Sequence, residues 1–216
     1  MKRLRIALLA LLAGCQAAPA PHPSLKAPPD WWQLGFTVPD CMDAWVEWAA
    51  AEDIQGRMFN RIGSGLPAYN CPGNTSTEIG RGWQGPGVGG RQVPGADLPK
   101  RIYVRWQSIV ERKTYRAWIE IPEQARTLMR ASQTQTCPND PDFGIPGIFI
   151  HLGLAPGGAI VVWVRDPCLS AVQVASAQAE EEPLGPHQGE SKGHYYPQKE
   201  ASQHYIERFG IPYGSW

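Results

Sequence analysis

The chain lacks any apolar run long enough to cross a bilayer. The longest near the front, Ile6 to Ala13, spans eight residues, well short of the ~20 a membrane helix needs. Net charge is also missing: 20 Lys and Arg face 20 Asp and Glu, so there is no basic footprint for nucleic acid. HExxH, SxxK and CxxC are all absent, which removes the usual signatures of zinc hydrolases, of SxxK serine enzymes and of dithiol redox proteins. A GxGxxG match at Gly80 to Gly85 has no strand before it, and glycine and proline continue where a helix would have to begin. It therefore fails as a nucleotide loop. The sequence implies no cofactor and no metal.

What is present begins with an address. Lys2, Arg3 and Arg5 precede the short apolar run, which ends in Leu12-Ala13-Gly14-Cys15. This has the form of a secretory signal closed by a lipobox, with Cys15 as the lipidated first residue of the mature chain. Gln16 stands where aspartate would mark inner-membrane retention, so a lipid-anchored, periplasm-facing protein of the outer membrane is expected. Two or more acyl chains anchor stably. Loss of residues 1–14 removes three basic and no acidic residues, leaving 17 against 20. Residues 16–30 hold five prolines and four alanines, a polyproline-type spacer reaching ~45 Å at most.

The remaining cysteines, Cys41, Cys71, Cys137 and Cys168, are even in number. In an exported chain they read as two disulfides with three possible pairings. Cys41–Cys71 and Cys137–Cys168 are favoured because each pair brackets one loop-rich segment.

The rest is mostly strand. From Leu98 to Pro122, Ile102, Val104, Trp106 and Val110 alternate with Arg101, Tyr103, Arg105 and Gln107; after Glu111-Arg112-Lys113, Tyr115, Ala117, Ile119 and Ile121 resume the pattern. Period two on both sides of a polar turn predicts an antiparallel hairpin with one buried face. A second hairpin is expected from Ile148 to Val164 around Ala155-Pro156-Gly157-Gly158. Its His151 is expected to be half-covered and hydrogen-bonded. Trp32 to Val38 predicts a strand, Ala44 to Ala51 a strand or a short helix, and Val172 to Gln178 another strand. Helices are expected after Pro122 and over Lys199 to Arg208. Residues 63–97, with ten glycines and four prolines, predict a long irregular loop of the kind that usually binds something.

These readings give a mainly β, α+β-type domain: an antiparallel sheet or a sandwich of hairpins with one or two short helices. It occupies residues 31–182 and is followed by a tail, 183–216. The tail docks on the sheet or carries contacts to a partner. Partner-binding candidates are Trp83 and Arg91 in the loop and Tyr195, Tyr196 and Trp216 in the tail. The best hydrolytic triad that can be assembled is Ser108, His151 and Asp166, and nothing in the sequence brings the three together. Asn139, Asp140 and Asp142 lack the order of a calcium loop.

Trp32-x-x-Gly35-Phe36 ending at Pro39, then LP-x-x-I-x-V-x-W-x-S-x-x-E-x-K-x-Y from Leu98 to Tyr115, then LAPGGAIVVWV from Leu154 to Val164, resemble a family of bacterial lipoproteins, domain of unknown function 2931. The resemblance covers roughly residues 31–180 and leaves the tail and the four cysteines outside. It implies no enzymology. The motif residues, Ser108 among them, read as structural: Leu98 and Pro99 start an edge, Trp106, Tyr115 and Trp163 pack the sheet, Glu111 and Lys113 shape a turn, and Pro156, Gly157 and Gly158 make another. By analogy with envelope lipoproteins of similar size, the expected function is binding a protein, as an immunity protein that neutralises a secreted effector toxin. The alternative is a structural envelope lipoprotein that binds cell wall, and an envelope hydrolase comes third.

Overall fold

The computed structural model describes residues 32–74, 76–132, 147–166 and 170–216. Among them run ten strands: β1 (Trp32–Thr37), β2 (Ala44–Asp53), β3 (Met58–Gly65), β4 (Arg91–Val93), β5 (Pro99–Ser108), β6 (Lys113–Glu120), β7 (Ile148–Leu154), β8 (Ala159–Arg165), β9 (Val172–Gln178) and β10 (Glu180–Glu181). Two helices accompany them, α1 (Glu123–Ser132) and α2 (Glu200–Phe209). The strands form two sheets, ordered β4-β1-β7-β8-β9 and β10-β6-β5-β2-β3.

Alternation explains how the sheets meet. Leu34, Ile150, Leu152, Ile160 and Val162 of the first sheet and Val46, Ile102, Val104, Trp106 and Ile119 of the second are all buried in one cluster. The two sheets thus face each other across a single apolar core, with α1 adding Ala125 and Met129. Both expected hairpins are present, β5 with β6 and β7 with β8.

Several expectations change. β1 runs parallel to β7, so the first sheet is mixed rather than purely antiparallel. Ala44 to Ala51 is strand and not helix. Pro99 opens β5, which lies between β6 and β2, so Leu98-Pro99 begins a central strand and not an edge. A proline is tolerated there because it is the first residue of the strand. The segment expected as an irregular loop over 63–97 contains the end of β3 and the whole of β4. Its glycines let it lie flat on the outer face of the first sheet: a side chain at position 90 would stand 3.1 Å from Phe149, and one at position 87 would collide with Ala68.

Cys41 and Cys71 form a disulfide. Cys137, Cys168 and Asn139 to Asp142 lie outside the described residues, as do Cys15 and the proline-rich spacer. Among the described residues no helix is long and apolar enough to cross a membrane.

The tail docks. α2 buries Ser202 and Tyr205 over a second small core that includes Cys41 and Met42. Ser202 Oγ donates to the Cys41 carbonyl at 2.7 Å, and the Lys199 N–H donates to Asp43 at 2.8 Å. The Gly80 N–H donates to the Tyr205 hydroxyl and the Gly82 N–H to Ser215 Oγ. Loop and tail therefore hold each other.

Candidate functional site

Two β-bulges on one side of the molecule build its most unusual feature. Pairing of β2 with β5 passes from Val46↔Trp106 to Trp48↔Arg105, leaving Glu47 as an extra residue. Pairing of β2 with β3 passes from Ala49↔Gly63 to Ala50↔Asn60, leaving Arg61 and Ile62 extra. Bulges re-aim side chains, and these two do so in opposite senses.

Glu47 turns inward. Its carboxylate accepts from Arg105 Nε at 2.7 Å, Gln107 Nε2 at 2.8 Å and the His187 N–H at 2.7 Å. The burial of Glu47 and Arg105 is tolerated because each charge meets the other and further donors fill the remaining lone pairs.

Arg61 turns outward. Its φ of 56° is left-handed, a conformation that costs a non-glycine residue on the order of 1 kcal/mol. Its guanidinium lies 5.6 Å from the centre of the Trp48 ring, a stacking that favours arginine over lysine. Together with Gly63, Ser64 and Arg91 these residues line a cavity of about 370 Å³. A second cavity of about 270 Å³ adjoins it, sharing Gly63, Ser64 and Arg91 and continuing to Phe36, Leu66, Ala68 and Val88. Leu66 is 60% exposed and Val88 85%. Neither Arg61 nor Arg91 makes an ion pair among the described residues. The result is a groove with two uncompensated cations at one end and apolar side chains at the other.

Of the five partner-binding candidates, Arg91 lies in this groove. The other four sit elsewhere and hold the fold together. Trp83 packs edge-on against Trp163 at 5.3 Å, in space left by Gly153, where a Cβ would stand 2.6 Å from the Trp163 ring. Tyr196 stacks on Trp45 at 4.2 Å and donates its N–H to Gln107. Tyr195 lies under the Arg112 guanidinium. Trp216 Nε1 donates to the Pro156 carbonyl at 3.0 Å.

The motif residues converge at a different place. The Glu111 carboxylate accepts from the Gly157 N–H at 3.0 Å, from the Tyr115 hydroxyl at 3.2 Å and from the Tyr213 hydroxyl at 2.9 Å. Gly157 and Gly158, at φ of 77° and 78°, supply the left-handed turn that brings this N–H to the carboxylate. Burial and the hydrogen bond to Glu111 push the Tyr213 hydroxyl up to about 12. Burial, then the Glu111 charge, moves Tyr115 in the same direction. Both groups stay protonated donors. Trp106, Ser108, Leu98 and Trp163 are buried, which agrees with structural roles.

His151 differs from expectation. It is fully buried, and among the described residues neither ring nitrogen has a hydrogen-bond partner. Burial, then the charge of Arg165, holds its imidazole down to about 4; the nearby Gly89 carbonyl opposes this weakly, short of hydrogen-bond geometry. Ser108 belongs to the other sheet, and Asp166 accepts from Ser132 Oγ. The three residues of the candidate triad form no hydrogen-bonded set. Among the described residues no cluster of His, Cys, Asp or Glu is placed to hold a metal ion.

Arg61, Trp48 and Ser64 have no sequence motif. One signal marks the first bulge: the residues that join the apolar core run Ala44, Val46 and then Ala49, Ala51, a change of phase that an inserted residue produces.

The family model described as Protein of unknown function (DUF2931) matches residues 17–214, and the chain belongs to that family. The match takes in nearly all of the tail and Cys41, Cys71, Cys137 and Cys168, which the sequence motifs alone had left outside. No curated protein and no solved structure matches the chain.

Proposed function

We propose that this member of the DUF2931 family is an exported, lipid-anchored lipoprotein that works by holding a protein partner in the groove between β3 and β4. In its finer form the proposal is an immunity protein that neutralises a secreted effector. The observation that carries the binding reading is the groove itself: Arg61, held in a strained conformation by a bulge and stacked on Trp48, beside Arg91, which has no ion pair among the described residues, and exposed Leu66 and Val88. Arginine and tryptophan are residue types enriched at interface hot spots. Strain retained at a surface residue fits a binding role better than a packing one. The lipobox at Cys15 and the Cys41–Cys71 disulfide support an oxidising compartment outside the cytoplasm.

A photocrosslinking residue at Leu66 or Val88 in the full tethered chain should yield one dominant protein adduct in cells. Absence of any adduct across growth conditions would overturn the binding reading. The immunity form has its own test: the recovered partner, expressed alone in the periplasm, should arrest growth, and co-expression of this chain should restore it. A non-toxic partner removes that form and leaves the coarser one.

A further inference from the structure

We infer that the groove reads an extended segment of its partner that carries a carboxylate and, two residues along, an apolar side chain. The inference rests on the groove being the contact surface and adds what that surface selects. The two cavities abut, sharing Gly63, Ser64 and Arg91, and they differ in chemistry. One is lined by both arginines, Arg61 and Arg91, the second of which also borders the other cavity. Its single acid, Glu47, is already engaged by Arg105, Gln107 and the His187 N–H, so an incoming carboxylate meets two cations that pair with no acid among the described residues. Trp48 beneath Arg61 keeps one of them oriented for a paired, fork-like contact. The other cavity offers Phe36, Ala68 and the exposed Leu66 and Val88.

An extended chain places side chains i and i+2 on one face, about 6.6–6.8 Å apart. Adjoining pockets of opposite character suit such a pair. β3 is the terminal strand of its sheet, and its Gly63 and Ser64 line both pockets. A partner strand laid beside β3 therefore puts alternate side chains into them, as in strand-addition recognition. A helix would present its neighbouring side chains at i and i+3 or i+4 across a wider body.

Fluorescein-labelled, N-acetylated pentapeptides centred on Glu-Thr-Leu provide the probe, with Gln-Thr-Leu, Lys-Thr-Leu and Glu-Thr-Ser as controls. Anisotropy with the full mature chain should show the Glu-Thr-Leu peptide binding roughly tenfold tighter than the Gln-Thr-Leu or Glu-Thr-Ser peptides, with affinity falling as salt rises. Arg91→Gln and, separately, Arg61→Gln should erase the preference for Glu over Gln. Leu66→Ser should erase the preference for Leu over Ser and leave the first preference intact. Equal affinity for all four peptides, no binding of any, or preferences untouched by these substitutions would overturn the inference. If a crosslinked partner binds the Arg→Gln variants as well as wild type, the inference fails and the binding reading stands. If the peptides discriminate as expected but no partner crosslinks in cells, the reading fails alone.

Discussion

His151 sits on the outer face of the first sheet beside Gly35, where an added Cβ would lie 2.3 Å from Nε2. The folded protein holds this imidazole neutral down to about pH 4, against an ordinary value of 6.5. The unfolded chain therefore takes up the proton first as pH falls. His151 contributes fully to stability above pH 6.5, and that contribution is lost as the pH drops toward 4, by roughly 3 kcal/mol at most. Urea denaturation across this range should show the loss in wild type and a much flatter profile in His151→Leu. Gly35→Ala should be destabilising at every pH, by about 1–3 kcal/mol, because the new methyl meets both His151 and the Gly89 carbonyl. The sequence placed His151 on the face opposite the aliphatic row, and that was right. Its burial could not be read there, because the cover comes from glycines more than fifty residues earlier in the chain, around Gly89. Arg61 is a similar case: no local pattern marks a residue whose conformation is set by slippage against a neighbouring strand.

At the scale of elements, strict alternation made β5, β6, β7 and β8 legible together with their partners, since each pair is joined by a short turn. β3 was missed because its bulge interrupts the period after Asn60. β4 was missed because three residues carry no period at all. The Cys41–Cys71 pairing was legible because it encloses one segment; it ties the start of the long cover to the chain leaving β1. Replacing both cysteines by serine should cost about 3–4 kcal/mol from the loop closed across 30 residues. The effect should appear as a lower denaturation midpoint and as faster proteolysis between residues 71 and 97. Glu111 works between elements, joining the β5–β6 turn, the β7–β8 turn and the tail. Glu111→Ala should cost about 1–3 kcal/mol, and hydrogen exchange should accelerate at Gly157 and around Tyr213 together. A local role would accelerate only one of them.

For the whole molecule, the sequence predicts that the front of the chain supplies the address and the rest the body. The lipid anchor predicted at Cys15 has a direct check: metabolic labelling with a fatty-acid analogue should mark the wild-type chain. Cys15→Ser should abolish the label and release the protein from the membrane fraction without altering its thermal midpoint. Equal membrane retention of the variant would remove the anchor from the account.

The parallel pairing of β1 with β7 sets a clock on biogenesis. A chain delivered from its amino end presents residues 32–37 long before 148–154 exist to flank them, and β4 offers that strand only three partners in the meantime. The first strand to emerge is thus among the last to be zipped, as expected for non-local pairings. Its apolar Trp32, Leu34 and Phe36 would wait uncovered through most of synthesis, so newly made chains should lean on a holding chaperone until the seventh strand arrives.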